Sequence, residues 1–248
     1  SYLWFSDVFL TQPFTCDVST GSTTLYGMAY TDGLRIEAGV VTGYTGTERN
    51  VIVPAKWDGV AVTEVGASAF SGNTRVKTVK LPATVASVGA SAFYDCYSLA
   101  TVNLTSACTS VGAYAFAGCG KLADAGDLSG LDEICEHTFT GCHRLAAVQF
   151  SEGLLAVGRY AFSDCEALSS ILLPDTVTEI GEYAFSGCSS VREFRIPASL
   201  NDLRTGALKG CLSLSTLLPA PNNDTALFRV VDGNLYSAYG RCLSLYLA

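Results

Sequence analysis

The stretch that decides the fold is VTEIGEYAFSGCSSVREFRIPASL, residues 177–200, because the same phrase returns along the chain at a fixed interval. A dipeptide that is Ala-Phe in most units precedes each repeated cysteine in the same phase, as Ala184-Phe185 precedes Cys188, and it fades to Ala207-Leu208 before Cys211. Self-similarity at a period of about 20 to 50 residues is typical of solenoids and propellers. The repeated cysteines, each 23 residues from the next, are Cys96, Cys119, Cys142, Cys165, Cys188 and Cys211.

The internal pattern selects among the repeat classes. Leu99-x-x-Val102-x-Leu104 has the spacing of a leucine-rich-repeat strand, whereas a propeller blade needs about 40 residues. The V-x-x-[VI]-G phrase predicts a second short extended segment that a glycine ends, and Ala-Phe-x-x-Cys predicts one helical turn. We therefore predict a leucine-rich-repeat solenoid, an α/β coil made mainly of short parallel β-strands with helical turns.

The phrase resembles the 23-residue unit of the BspA-like, or Treponema pallidum-type, leucine-rich repeat proteins. The resemblance covers residues 60–219 and extends into both flanks. It implies a curved, right-handed solenoid that is secreted or displayed on a cell surface. It also implies adhesion to, or binding of, a protein ligand, such as a host extracellular-matrix or surface protein.

Three regions follow from these patterns. Residues 1–59 are predicted to form an N-terminal capping region with a β-hairpin, and SYLWFSDVFL at its start is expected to pack over the open end of the solenoid. Residues 60–219 hold six to seven repeats. Residues 220–248 are predicted to form a second β-hairpin cap, since Asp232-Gly233 is a hairpin turn pair. The missing sorting and anchor signals lead us to expect a fragment or processed ectodomain, with a complete secreted protein as the alternative.

Composition limits the partners. Of the 248 residues, 49% are hydrophobic and 15% are charged, which excludes a disordered chain. A net charge of -8 argues against nucleic acid as a partner. Every apolar run is shorter than the roughly 18 to 20 residues that cross a bilayer, so we expect no membrane insertion. We also expect a monomer.

The ten cysteines could bind a metal ion or form disulfides. No two of them have the C-x2-4-C spacing of a zinc site, so we expect no metal and no cofactor. Equivalent residues of stacked coils lie about 4.8 Å apart with parallel side chains, which disfavours disulfides between them. We therefore predict a column of buried thiols. Cys108 is expected to pack in the core, and the pairing states of Cys16, Cys108, Cys135 and Cys242 stay open.

Catalytic motifs are missing from the sequence, and we predict that the protein is not an enzyme. His137 occupies the phase of Tyr114, Tyr160 and Tyr183, so it is expected to belong to an aromatic column, which is a second candidate binding patch. His143 is expected to be solvated. Asp124 and Asp127 are read as solvated carboxylates on a divergent coil instead of a calcium site, and a weakened or bulged strand is expected there.

The outward positions of the first strand in each unit form the predicted protein-binding concave face. Their chemistry varies while the inward positions hardly change, as a recognition surface on a regular scaffold requires. Two alternatives stay open: a structural spacer within a larger surface protein, and an intracellular protein-interaction scaffold. The predicted face consists of Thr78, Lys80, Thr101, Asn103, Asp124, Ala147, Gln149, Ser170, Leu172, Glu193, Arg195, Thr216 and Leu218.

Overall fold

The chain winds into a β-solenoid of about eight coils, seen in a computed structural model. The structure describes residues 14–16, 23–25, 30–218, 228–231 and 234–237, with side chains over 30–218. From coil 2 onward each coil has 23 residues, and three segments recur in it: a first strand, a second strand and a turn segment. We call the surfaces that they build the first face, the second face and the turn face. Coil 1 precedes residue 59, and coils 2 to 8 begin at residues 59, 82, 105, 128, 151, 174 and 197.

The first face is a ladder of parallel strands whose outward and buried residues alternate. Thr101, Val102, Asn103 and Leu104 follow this alternation, with the valine and leucine buried. Four strands pair in one sheet and two in another, and the single bridge from Ile171 to Phe194 extends the second sheet. The strands are Asn50–Ile52, Thr78–Lys80, Thr101–Leu104, Asp124–Gly126, Glu193–Arg195 and Thr216–Leu218.

The second face is a ladder of two-residue strands, as the V-x-x-[VI]-G phrase predicts. It begins on the antiparallel hairpin of Leu34–Glu37 with Val40–Tyr44, and this hairpin is the one predicted for the N-terminal region. The strands that follow are parallel and form two sheets. They are Glu64–Val65, Ser87–Val88, Ser110–Val111, Glu133–Ile134, Ala156–Val157, Glu179–Ile180 and Asp202–Leu203.

Three further antiparallel pairs lie outside the two ladders. Lys56–Trp57 pairs with Val60–Ala61, and Phe14–Cys16 pairs with Thr23–Leu25. Phe228–Val231 pairs with Asn234–Ser237 in a register that leaves two residues for the connection, as the Asp-Gly pair predicts. The region boundaries at residues 59 and 219 stay predictions, and SYLWFSDVFL lies outside the described residues.

The turn face forms successive β-turns in place of the predicted helical turn, and the described residues contain no helix. In coil 3 every second amide leaves the coil: the N–H of Phe93 donates to the carbonyl oxygen of Ala115 at 2.7 Å, while that of Ala92 stays within the coil on Gly89. Left-handed backbone at Ser91 (φ 56°) and Asp95 (φ 55°) produces this alternation. An α-helix would need every amide for its own i-4 carbonyl, so bonding between coils has replaced it.

The core consists of columns of equivalent residues, one from each coil. Rings of Phe70, Phe93, Phe116, Phe139 and Phe162 are buried and stacked, with centroids 4.9 to 5.4 Å apart. Burying one such ring stabilises the fold by about 1.5 to 3 kcal/mol. No coil can bury its apolar side alone, so the stack of coils is the stable unit.

The junction between coil 4 and coil 5 lacks pairing on both strand faces. The predicted bulge is present in coil 4. Thr101 pairs with Asp124, but three residues later Leu104 pairs with Gly126 and not with Asp127. Leu128 is buried in place of Asp127. Within residues 30–218, three backbone hydrogen bonds join these two coils, all on the turn face. They run from Tyr114 to Glu136, from Phe116 to Thr138 and from Gly118 to Thr140.

A cysteine replaces glycine at the same junction. Gly112, its equivalent in coil 4, donates its N–H to Val88 at 2.8 Å, but Cys135 makes no corresponding bond among the described residues. Arg204 also replaces this glycine and keeps its bond to Ile180 at 2.9 Å. A side chain in place of this glycine is therefore not sufficient to remove the hydrogen bond between coils. Cys135 replaces the glycine in coil 5, the coil that follows the bulged strand of coil 4.

Candidate functional site

Most of the predicted binding residues lie on the first face with their side chains outward. Strand pairing in register places Thr78 beside Thr101 and Glu193 beside Thr216. The structure therefore brings the predicted residues into two adjacent columns that run along the solenoid. Exposed members are Lys80, Thr101, Asn103, Asp124, Ala147, Gln149, Leu172, Glu193 and Thr216, and half-buried members are Thr78, Ser170, Arg195 and Leu218.

Strand structure and side-chain exposure vary along the first face. Residues 147–149 form no strand, so Ala147 and Gln149 lie on irregular backbone between the two sheets. Leu172 is the most exposed apolar side chain of this face, at 68%. Leu218, predicted to be exposed, is half-buried.

Two of the predicted residues also have structural contacts. The side-chain amide of Asn103 accepts the N–H of Leu81 at 2.7 Å and donates to the carbonyl oxygen of the same residue at 3.1 Å. Arg195 pairs with Asp175, whose carboxylate also accepts the N–H of Ala198 at 3.0 Å. Substitutions at Asn103 or Arg195 therefore disturb the scaffold as well as the surface.

Cations next to the face were missed by the sequence reasoning. Five exposed cations occupy positions one or three residues before the first outward residue of the first face in their coils: Arg75, Lys77, Lys121, Arg144 and Arg192. The repeat phase could have identified them, because the 23-residue period assigns every residue to a face once the strand is located. The two alternating positions of each strand do not include these cations.

The second candidate patch, the aromatic column, is present on the turn face. His137 stacks between Tyr114 and Tyr160 with centroid distances of 4.5 and 4.8 Å, and Tyr160 stacks on Tyr183 at 5.0 Å. The guanidinium of Arg159 lies 4.8 Å from the centroid of the Tyr160 ring. Burial lowers the pKa of His137, with Glu136 opposing this effect and Arg159 adding to it. The column is half-buried, so packing between coils accounts for most of its contacts.

The thiol column is confirmed. All six cysteines of the repeat are buried and free, and Cys108 is buried as predicted. Each thiol donates to the carbonyl oxygen of the phenylalanine one coil earlier, as Cys119 does to Phe93 at 3.1 Å. Burial raises the pKa of Cys96 to about 12 and that of Cys142 well above its usual value. Cys135 is half-buried; the side chains of Cys16 and Cys242 lie outside the described residues.

His143 is half-exposed, in agreement with the solvated position predicted for it. Its Nδ1 lies 3.1 Å from the carbonyl oxygen of Asp164 and 3.6 Å from the carboxylate of Glu166. It therefore bridges to the next coil. Across residues 30–218, no three histidine, cysteine or acidic side chains are grouped so that they could hold a metal ion. No helix in the described part of the chain could span a membrane.

A shallow cavity of about 290 Å³ lies on the second face. Gly158 and Gly181 line it together with charged side chains. Arg159 pairs with Glu182 at 3.3 Å, and Arg204 lies 3.9 Å from Glu179. These cations are therefore neutralised by neighbours on their own face, in contrast to the cations beside the first face.

Comparisons with known proteins agree with this architecture. A leucine rich cell surface protein from Faecalibacterium prausnitzii A2-165 has 32% identity and a TM-score of 0.78, and the match covers 89% of this chain and 62% of that one. The T. pallidum leucine rich repeat protein has 30% identity and a TM-score of 0.52, covering 73% of this chain and 77% of that one. The chain thus spans less than two thirds of the first relative.

A leucine-rich repeat protein from Eubacterium ventriosum shares the fold, with 24% identity and a TM-score of 0.62 over 80% of this chain and 51% of that one. No protein with a curated description matches the chain. A family profile described as BspA type leucine rich repeat region matches residues 57–126 and 127–226, in six copies. The chain therefore belongs to the BspA-type leucine-rich repeat family.

Proposed function

We propose that this protein is a non-catalytic, cell-surface or secreted leucine-rich repeat protein that binds a protein ligand through its first face. The observation that carries the proposal is the contrast between the two sides of the first strands. Inward residues such as Val79, Val102 and Phe194 are buried and apolar, while their outward neighbours vary in charge, size and polarity. Solenoids use such extended faces for binding.

Surface display is supported by one relative. The Faecalibacterium prausnitzii protein is described as a cell surface protein, and its identity to this chain is 32%. Adhesion to a host or neighbouring-cell protein is the form of binding that we propose for this chain. A structural spacer in a larger surface protein is the second candidate, because the regular stack of coils would serve that role without a ligand.

The test compares the wild type with two matched variants in biolayer interferometry on purified extracellular-matrix proteins. The first-face variant combines Gln149→Ala, Leu172→Ala and Glu193→Ala, all at exposed positions. The control combines Asn201→Ala, Leu155→Ala and Glu133→Ala, which remove the same kinds of side chain from the second face. We expect the first-face variant to bind at least about tenfold more weakly, with the control unchanged.

Equal binding by the two variants would exclude the first face as the binding surface. Binding of no matrix protein by the wild type would favour the spacer. Circular dichroism of each variant establishes that the solenoid is intact, which the exposed positions of all six substitutions lead us to expect.

A further inference from the structure

Charge is segregated between the two strand faces of this acidic chain. We take the six residues from position 75 to position 80 and their equivalents in coils 3 to 8 as the first-face segments. These segments carry seven basic and two acidic residues, a net charge of +5. The second-face segments, 63–67 and their equivalents, carry two basic and seven acidic residues, a net charge of -5. The whole chain has a net charge of -8, so the first face is positive against the trend of the protein.

The cations of the first face are concentrated at its N-terminal end. Arg49, Arg75, Lys77 and Lys80, which we call the basic cluster, lie on two neighbouring coils and are exposed. The carbonyl oxygen of Arg49 accepts the N–H of Lys77 at 2.6 Å, so these two residues are adjacent across the ladder. Neighbouring strands are about 4.8 Å apart, well within the screening length of roughly 8 to 10 Å, so their charges act together.

The members of the basic cluster have no ion-pair partner within the described part of the chain. Within residues 30–218, no carboxylate forms an ion pair with any member of the basic cluster, whereas Arg159 and Arg204 on the second face are both paired with glutamates. Glu48 is the carboxylate closest in sequence to the cluster. Unpaired, hydrated cations cost nothing to leave in water, but together they attract an anionic surface and raise its association rate.

We propose that the basic cluster docks an acidic segment of a protein partner, one rich in aspartate and glutamate. The inference rests on the proposed function, because it names the chemistry of the ligand for the first face. A protein segment fits better than a nucleic acid, because the second face and the net charge of -8 would repel a long polyanion. The small side chain of Thr101 and the absence of one at Gly126 continue the face beside the cluster and leave room for an extended chain.

Fluorescence anisotropy with a labelled 20-residue peptide of alternating glutamate and serine tests the proposal. The cluster variant combines Arg75→Gln, Lys77→Gln and Lys80→Gln. The control combines Arg159→Gln, Arg204→Gln and Lys209→Gln, so both variants have a net charge of -11, three below the wild type at -8. We expect the cluster variant to bind about tenfold or more weakly at low salt, the control to bind within about twofold of the wild type, and added salt to weaken binding.

Equal weakening in both variants would overturn the proposal, since net charge alone would then explain it. It would also be overturned if the wild type bound heparin or a 20-nucleotide single strand but not the peptide. Matrix-protein binding separates the two proposals. If the first-face variant loses matrix binding but the cluster variant binds the acidic peptide as tightly as the wild type, the first face binds proteins and the acidic-segment inference fails. If the wild type binds no matrix protein but its peptide binding depends on the cluster, the acidic-segment inference stands and matrix adhesion fails.

Discussion

The thiol of Cys142 donates a hydrogen bond to the carbonyl oxygen of Phe116, one coil earlier, at 3.3 Å. That carbonyl oxygen also accepts the N–H of Cys119 at 3.1 Å, so one acceptor joins two coils through two cysteines of the repeat. The cysteine is thus both a small core side chain and a donor between coils. This dual role accounts for its regular use in a core where alanine or valine would fill only the space.

Replacing Cys142 tests this role. Cys142→Ala leaves a cavity and removes the donor, and we expect it to lower the free energy of unfolding by about 1 to 3 kcal/mol. Cys135→Ala, at a half-buried position, is the control and should change the free energy of unfolding by less than about 0.5 kcal/mol. Urea denaturation followed by circular dichroism measures both. An equal loss in the two variants would contradict the role of the buried column.

Alkaline pH should destabilise the protein through the thiol column. Burial raises the pKa of Cys96 and of Cys211 to about 12 from 9.0, so the folded state holds these protons more tightly than the unfolded state. The stabilisation is present in full below pH 9 and is lost as the pH rises from 9 toward 12. The native thiols should also resist alkylation at pH 8.

Alkylation with iodoacetamide, read by peptide mass spectrometry, checks this prediction. We expect peptides with Cys135 to be labelled in the native protein and those with Cys119 or Cys165 to be labelled only after unfolding. Labelling of the column cysteines at the rate of Cys135 would show that the thiols are accessible, and the burial argument would fail.

Acidic pH should destabilise the aromatic column through His137. Its pKa is lowered by burial, so the unfolded state binds a proton more readily than the folded state. Stability is therefore unaffected well above pH 6.5 and falls as the pH drops below that value. His137→Tyr completes the tyrosine column and removes the imidazole that titrates in this pH range. Between pH 7.5 and 5.5 this variant should therefore lose less stability than the wild type. Thermal unfolding at both pH values measures this difference. An equal fall in melting temperature for the variant and the wild type would refute the role of His137.

Gly112 should tolerate a side chain poorly, because its backbone closely approaches the preceding coil. A Cβ on Gly112 would lie 2.6 Å from the backbone nitrogen of Ala90, so Gly112→Ala must shift the backbone where these two coils meet. We expect a loss of about 1 to 3 kcal/mol in urea denaturation. A Cβ on Gly153 would meet only the Ser151 hydroxyl at 3.4 Å, so Gly153→Ala should be nearly neutral. If both variants unfolded alike, close approach of the coils would not be the cause.

The period of the sequence predicts most of this fold, because a fixed repeat places equivalent residues in columns whatever the details of each coil. The columns of Phe93, Cys96 and Val88 were all predictable in this way. The turn face was not, because a spacing of three residues between Phe93 and Cys96 suits a helical turn as well as successive β-turns. Only the hydrogen bonds between coils distinguish the two, and no local pattern reports them.

The binding face was predicted only in part for a related reason. Alternation within a strand indicates that Thr101 and Asn103 point outward, but it gives no information on the side-chain hydrogen bonds that join Asn103 to the neighbouring coil. The cations beside the face, such as Lys77 and Arg192, belong to positions that precede the strands. The alternation within a strand does not extend to these positions, whereas the 23-residue period does.

The junction between coils 4 and 5 has a mechanical consequence. The strength of a solenoid is a sum over neighbouring coils, and three backbone hydrogen bonds on one face join these two. Tension applied to the ends of the chain would therefore separate this interface first. The stacks of coils on either side would keep their own buried columns, so the first event under tension would be the separation of two folded halves and not the loss of one terminal coil.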